Sequence, residues 1–217
     1  MEAAAPPGTR SRIPRHTVKF GTISIGLDDT VLAPRRWTTA QSRWAAQLAS
    51  QAEPGPILEL YCGAGHIGLD AASRAGRALV QVDADPSACR WAQRNADALG
   101  VTTHIRCTTI EESLQLDRLF PLVLADPPYL SETDQRDDGD LPHAVDGGPD
   151  GLRHILHALA AGARHLMPCA PLLLQLRGLA QAAKVEAMLA AVTPSLVMEE
   201  VRTFGPRRAI ALLRRDP

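Results

Sequence analysis

Residues Pro56 to Gly68, reading Pro-Ile-Leu-Glu-Leu-Tyr-Cys-Gly-Ala-Gly-His-Ile-Gly, constrain the fold more than any other stretch. The apolar run from Pro56 to Tyr61 predicts a buried strand. It stops at Gly63 and Gly65 and passes into His66-Ile67-Gly68-Leu69-Asp70-Ala71-Ala72, which has helical spacing. A strand, a glycine turn and a helix together suit a nucleotide-like ligand. Glycines let backbone approach the ligand and turn tightly, and a helix N-terminus offers free N–H groups.

Gly63-x-Gly65-x-x-Gly68 fits the dinucleotide fingerprint, and Asp83 lies 20 residues beyond Gly63, where a ribose-binding acid is expected. This alone does not separate a nicotinamide enzyme from one that uses S-adenosylmethionine (SAM), since both hold an adenosine ribose with such an acid.

Around this unit the pattern alternates. The first 15 residues, rich in Pro, Ala and charge, predict a disordered tail. Residues 16–53 form an N-terminal extension: a hairpin from His16 to Leu32 broken at Gly26-Leu27-Asp28-Asp29, then a helix capped by Thr38 or Thr39, with Trp44, Ala45 and Leu48 as its buried stripe. The main domain, 54–217, follows. Strands are expected at 56–61, 78–83, 101–107, 119–125 and 171–176, and near 195–203 and 207–214. Helices are expected at 66–75, 87–99, weakly at 111–117, and at 149–165 and 179–191. A polar loop, 131–148, is read as a mobile lid. Such alternation implies an α/β, Rossmann-like, mostly parallel sheet with helices on both faces and one antiparallel strand at the end.

Charge and cysteines narrow the setting. The net charge of -1 excludes a uniformly basic nucleic-acid coat. Its distribution is uneven: residues 1–43 carry seven basic groups against three acids, and Arg202, Arg207, Arg208, Arg214 and Arg215 lie near the end. Of the four cysteines, Cys62, Cys107 and Cys169 are read as small hydrophobes in or beside buried elements, and no C-x-x-C pair occurs. There is no apolar run of spanning length and no hydrophobic signal core, so a cytoplasmic protein without a membrane segment is expected. His154 and His157, three apart on one predicted helix with His165 nearby, are read as ordinary histidines, and no metal is expected.

Ligands in open α/β sheets bind at the carboxyl ends of the strands. Glu59 with the glycine turn, Asp83 and Asp126-Pro127-Pro128-Tyr129 all fall there. The two prolines stiffen the backbone and donate no hydrogen bond. The Asp126 carboxylate and the local carbonyls therefore form a fixed acceptor set beside an aromatic ring. That set suits a planar substrate carrying NH2: the acceptors take its hydrogens and aim the nitrogen lone pair, while Tyr129 stacks on the base or amide.

Glu59-Leu60-Tyr61-Cys62-Gly63-Ala64-Gly65, Asp83, Ala92-Gln93-Arg94-Asn95-Ala96 and Val123-Leu124-Ala125-Asp126-Pro127-Pro128-Tyr129 together resemble the class I SAM-dependent methyltransferases, in the amino-directed branch with an (Asp/Asn)-Pro-Pro-(Tyr/Phe) motif. The resemblance covers about residues 34–214. It implies a seven-stranded sheet with the last strand antiparallel, and SAM as cofactor. Glu59, Tyr61, Gly63 and Gly65 would surround its methionine part, and Asp83 its ribose hydroxyls. Asp126, Pro127, Pro128 and Tyr129 would position the target nitrogen, which sheds its proton after attack without a metal or strong base. Tyr61 departs from the glycine common at that turn position. The acid often found after the third core strand is replaced by Thr108-Thr109, so no adenine contact is assigned.

Two substrate classes remain. His143 to Leu152 and Val31-Leu32-Ala33-Pro34-Arg35 resemble segments of the release-factor glutamine methyltransferases, which implies a protein substrate. Asp at position 126, Leu-Tyr-Cys-Gly in the turn and the basic flanks look more like RNA methyltransferases acting on exocyclic amines of rRNA or tRNA bases. The RNA amine is favoured. A SAM- or RNA-binding module without catalysis, and a nicotinamide oxidoreductase, are the alternatives of other classes.

Overall fold

A computed structural model of the chain describes residues 16–113 and 118–217. The expected disordered tail at 1–15 and most of the weak helix at 111–117 lie outside the described residues. The chain opens with a separate antiparallel hairpin, β1 (His16–Phe20) and β2 (Ile23–Leu27), followed by a short 3-10 turn at Arg36–Thr38 and helix α1 (Thr39–Gln51). Then come β3 (Ile57–Leu60), α2 (His66–Ala75), β4 (Leu79–Asp83), α3 (Pro86–Leu99), β5 (Thr103–Cys107) and the single turn α4 (Ile110–Ser113). The second half holds β6 (Val123–Ala125), α5 (Pro142–Val145), α6 (Arg153–His165), β7 (Pro171–Leu176), α7 (Leu179–Val192), β8 (Leu196–Thr203) and β9 (Ala209–Arg215).

The seven core strands lie in the order β5-β4-β3-β6-β7-β9-β8. All run the same way except β9, which is antiparallel to both β7 and β8. Burial explains why β3 and β7, apolar but for Glu59 and Gln175, do not alternate: every residue of both is buried, because helices cover both faces. Successive residues serve opposite sides. Ile57, Leu124 and Leu173 join a core with α1, α2 and α3, while Leu58, Val123 and Leu172 join one with α6 and α7. The chain winds outward from β3 to β5, then restarts on the other side at β6. The switch point between β3 and β6 is where ligands bind in such sheets. No helix among the described residues is long and apolar enough to cross a membrane.

Local chemistry moves several boundaries. The hairpin turns at Gly21-Thr22, not at 26–29. Gly26 pairs with Thr17 inside β2, where a Cβ would come within 3.1 Å of Trp91. Thr38 and Thr39 do not cap α1; their hydroxyls donate back to the carbonyls of Arg35 and Arg36, both at 2.8 Å. Within α1, Trp44 and Ala45 are buried and Leu48 only partly. The strand expected at 119–125 shrinks to three residues, since Pro121 has no N–H for the ladder. Helix α6 begins at Arg153 because Gly148 and Gly151 both take left-handed backbone, with φ of 86° and 75°. Cys107 and Cys169 are exposed, whereas Cys62 and Cys89 are buried, and all four are free thiols.

Two polar side chains clamp the hairpin to the helices beneath it. Asp70 of α2 accepts from the Thr22 amide at 3.0 Å and its hydroxyl at 2.8 Å. Asn95 of α3 accepts from Gly26 N at 2.8 Å and donates to the carbonyls of Gly26 and Ala64, both at 2.9 Å. Asn95 thereby ties the hairpin to the glycine turn. Asn95→Ala strands three polar backbone groups and is expected to cost about 2–3 kcal/mol, read as a lower urea midpoint at unchanged slope.

Candidate active site

A cavity of about 480 Å3 opens at the carboxyl ends of β3, β4 and β6. The site is built from the turn outward. After β3 the chain bends through Tyr61 and Gly63, with φ of 58° and 53°, and through Gly65 at 83°. Gly63 lines the cavity with nothing within 4 Å of where a Cβ would stand, so its face is open to a ligand. Its N–H donates to Asp83 at 2.8 Å, and the other Asp83 oxygen accepts from Asp85 N at 2.9 Å. Burial raises the Asp83 pKa while these bonds oppose the shift. The Tyr61 ring lines the wall, and its hydroxyl donates to the His154 carbonyl at 3.1 Å.

Glu59 and Gly65, expected to touch the cofactor, do not line the cavity. Glu59 is buried behind the turn, where it accepts from Gly68 N at 2.9 Å and from Gln81. Burial pushes its pKa up to about 8, against the pull of those two donors. Its work is to hold the turn. Gly65 is boxed in: a Cβ there would sit 2.7 Å from the Gln81 amide nitrogen, besides the left-handed φ. Gly65→Ala is therefore expected to weaken SAM binding at least about 10-fold and to lower stability by about 1–3 kcal/mol, read by calorimetry and urea unfolding.

Asp126, Pro127, Pro128 and Tyr129 all line the same cavity as Gly63 and Asp83. Among the described residues the Asp126 carboxylate accepts no hydrogen bond. Burial pushes its pKa up to about 7, and the Arg35 charge opposes this. Its acceptor capacity is thus left for something that enters the cavity. Tyr129 is 7% exposed, and its carbonyl is held at 3.0 Å by Gln181 of α7, which also grips Gly151 O at 3.1 Å. Helix α7 thus contributes a polar clamp to the site as well as apolar packing.

The wall opposite comes from Val31, Leu32, Ala33 and Arg35, ahead of α1. The segment 131–146 lies across the mouth, pinned by Asp140 to Arg35, by Asp134 to Arg177 at 3.1 Å and by His143 to Asp85 at 3.7 Å. The loop expected to be a solvated lid is thus tethered on three sides and carries α5. His154 packs edge-on against Tyr61 and His157, and His157 reaches Glu111 at 2.7 Å. No group of three metal-ligating side chains occurs among the described residues.

Sequence reasoning also missed the buried glutamines 41, 81, 175 and 181 that brace the site. The signal was present: Gln175 interrupts the apolar run of β7, and Gln181 interrupts a helix of Leu and Ala.

Strand order, the antiparallel β9 and the glycine turn define a class. The chain has the class I SAM-dependent methyltransferase fold. A solved 16S rRNA N2 G1207 methyltransferase from Thermus thermophilus, in complex with AdoMet and guanosine, superposes with a TM-score of 0.69 at 16% identity, covering 100% of this chain and 53% of that one. The ribosomal protein L11 methylase of Lactobacillus delbrueckii subsp. bulgaricus gives 0.65 at 16% identity, over 88% and 84% of the two chains. Nearer in sequence is the release factor glutamine methyltransferase of Mycolicibacterium smegmatis, 32% identical over 158 residues. That match takes in 69% of this chain and 55% of the relative, so the chain spans about half the length of the curated relatives it matches. A family described as conserved hypothetical protein 95 matches residues 37–139.

Proposed function

We propose that the protein is a SAM-dependent N-methyltransferase acting on a planar nitrogen, and that the nitrogen is an exocyclic amine of an RNA base. The observation that carries the activity is the convergence on one cavity of the open Gly63 turn, the anchored Asp83 carboxylate and the Asp126 carboxylate, which accepts no hydrogen bond among the described residues. Its volume of about 480 Å3 falls in the range of small-molecule sites. The residues present fit SAM: Asp83 would take the ribose hydroxyls, Gly63 would admit the amino-acid chain, and Val31, Leu32 and Ile110 would supply apolar walls.

When bound, SAM supplies a methyl group on a cationic sulfur. The chain's own residues do the aligning. Asp126 accepts an N–H of the target nitrogen and turns its lone pair toward the methyl carbon, and the Tyr129 ring carries the flat group that bears the nitrogen. Pro127 and Pro128 keep that pair from shifting.

Charge around the mouth supports RNA. Arg35, Arg177 and Arg208 all act on the Tyr129 phenol. Arg36, Arg207 and Arg208 are exposed, and Arg208 stacks over Trp37 at 6.0 Å beside Phe204. Arginines with aromatic faces suit single-stranded nucleic acid. A second reading, a glutamine amide of a polypeptide, is favoured by the names of the sequence relatives. Tritiated SAM offered to total RNA and to a protein extract tests both. Label in RNA alone supports the first, label in polypeptide alone replaces it with the second, and label in neither with intact SAM binding overturns the activity.

A further inference from the structure

Gln175, the last residue but one of β7, is fully buried, yet it lines the cavity. Its orientation follows from its partners. The Gln41 nitrogen donates to two backbone carbonyls, Ala125 O at 3.2 Å and Leu173 O at 3.0 Å. Carbonyls only accept, so the Gln41 nitrogen must face the sheet and its oxygen must face away. That oxygen in turn needs a donor, and the Gln175 nitrogen provides it. The Gln175 amide is thereby locked, and its Oε1 has no partner among the described residues. A buried acceptor left bare is costly and asks for an explanation.

Register supplies one. Ala125 of β6 and Leu174 of β7 form the last pair of their ladder, and Asp126 and Gln175 are the residues that follow each of them. Both side chains belong to the cavity that also holds Tyr129. An amide oxygen suits the place better than a second carboxylate, which would repel Asp126 across a buried wall.

We propose that Gln175 Oε1 is an acceptor beside Asp126 for the hydrogens of the nitrogen that receives the methyl group, with Gln41 as the positioning residue that keeps the amide the right way round. This rests on the N-methyltransferase reading and adds to it a contact that the sequence motif does not contain.

Sinefungin and S-adenosylhomocysteine make the test independent of the substrate's identity. Sinefungin carries an amine where SAM carries its transferable methyl, so it offers N–H donors to the acceptors of the target nitrogen; S-adenosylhomocysteine offers none there. In titration calorimetry, Gln175→Leu is expected to weaken sinefungin about 10-fold while S-adenosylhomocysteine stays within about 2-fold. Gln41→Leu, outside the cavity, is expected to reproduce part of that loss. In the wild-type protein, the Gln175 carboxamide carbon is expected to shift in NMR spectra on adding sinefungin and not on adding S-adenosylhomocysteine, which serves if either variant fails to fold. Binding of both ligands with an unchanged affinity ratio in Gln175→Leu, or an unmoved carboxamide signal, overturns the role of Gln175 alone. Failure of the wild type to bind either ligand overturns the methyltransferase reading, and this inference with it.

Discussion

Replacing Asp126 with Ala is expected to cut methyl transfer about 1,000-fold, roughly 4 kcal/mol of barrier, with SAM affinity within about 3-fold of wild type. The reason is a division of labour within one cavity. Gly63 and Asp83 are joined to each other at 2.8 Å and owe nothing to Asp126, which makes no hydrogen bond of its own among the described residues. Deleting its carboxylate should therefore leave the cofactor side intact and remove only the acceptor that aims the nitrogen. Asp126→Asn keeps an acceptor oxygen in the same place and is expected to lose no more than about 10-fold. Initial rates of tritium transfer, read beside calorimetric SAM binding, measure both. A rate for Asp126→Ala near wild type would remove Asp126 from the reaction.

The same carboxylate should be visible in stability. Burial pushes the folded-state pKa of Asp126 up to about 7, from an ordinary value of 3.8. Between those values the folded chain holds a proton that the unfolded chain has released, so this group's contribution to stability falls as pH rises from about 4 to about 7. Glu59, pushed to about 8 by burial, acts in the same sense. His66, pulled down to about 4 by burial, acts in the opposite sense: its folded form stays neutral, so its contribution rises from pH 4 to 6.5. Asp126→Asn isolates one group. At pH 8 the variant is expected to be more stable than wild type by on the order of 2–4 kcal/mol, with the gain shrinking toward zero by pH 4. Urea unfolding at several pH values checks this. A difference independent of pH would mean that Asp126 is well solvated.

Most of the frame was legible in the sequence because it rests on local chemistry. Pro86 starts α3 and Gly100 ends it in left-handed backbone, as the chain order suggests. The apolar runs at 57–60 and 171–176 mark the two strands flanking β6. The convergence of Gly63, Asp83 and Asp126 was legible too, since a parallel sheet puts all strand ends on one rim. What stayed hidden depends on partners distant in sequence. Nothing near Gly26 announces that Trp91 and Asn95 lie against it, so the hairpin turn was misplaced by several residues. Glu59 looks like a cofactor contact until its two donors, Gly68 and Gln81, are seen behind the turn. Gln175 reads as an interruption in an apolar strand and Gln41 as one of several polar residues at the start of α1, and only packing across 134 positions reveals them as a pair.

The placement of β9 has a consequence for how the sheet can be assembled. Although it follows β8 in the chain, it is inserted between β7 and β8, which have no contact ladder with each other. β8 therefore cannot join until residues 209–215 have slotted in beside β7. An incomplete product ending before residue 209 would keep a bare, largely apolar strand edge at 171–176, the kind of template on which misfolded chains stack.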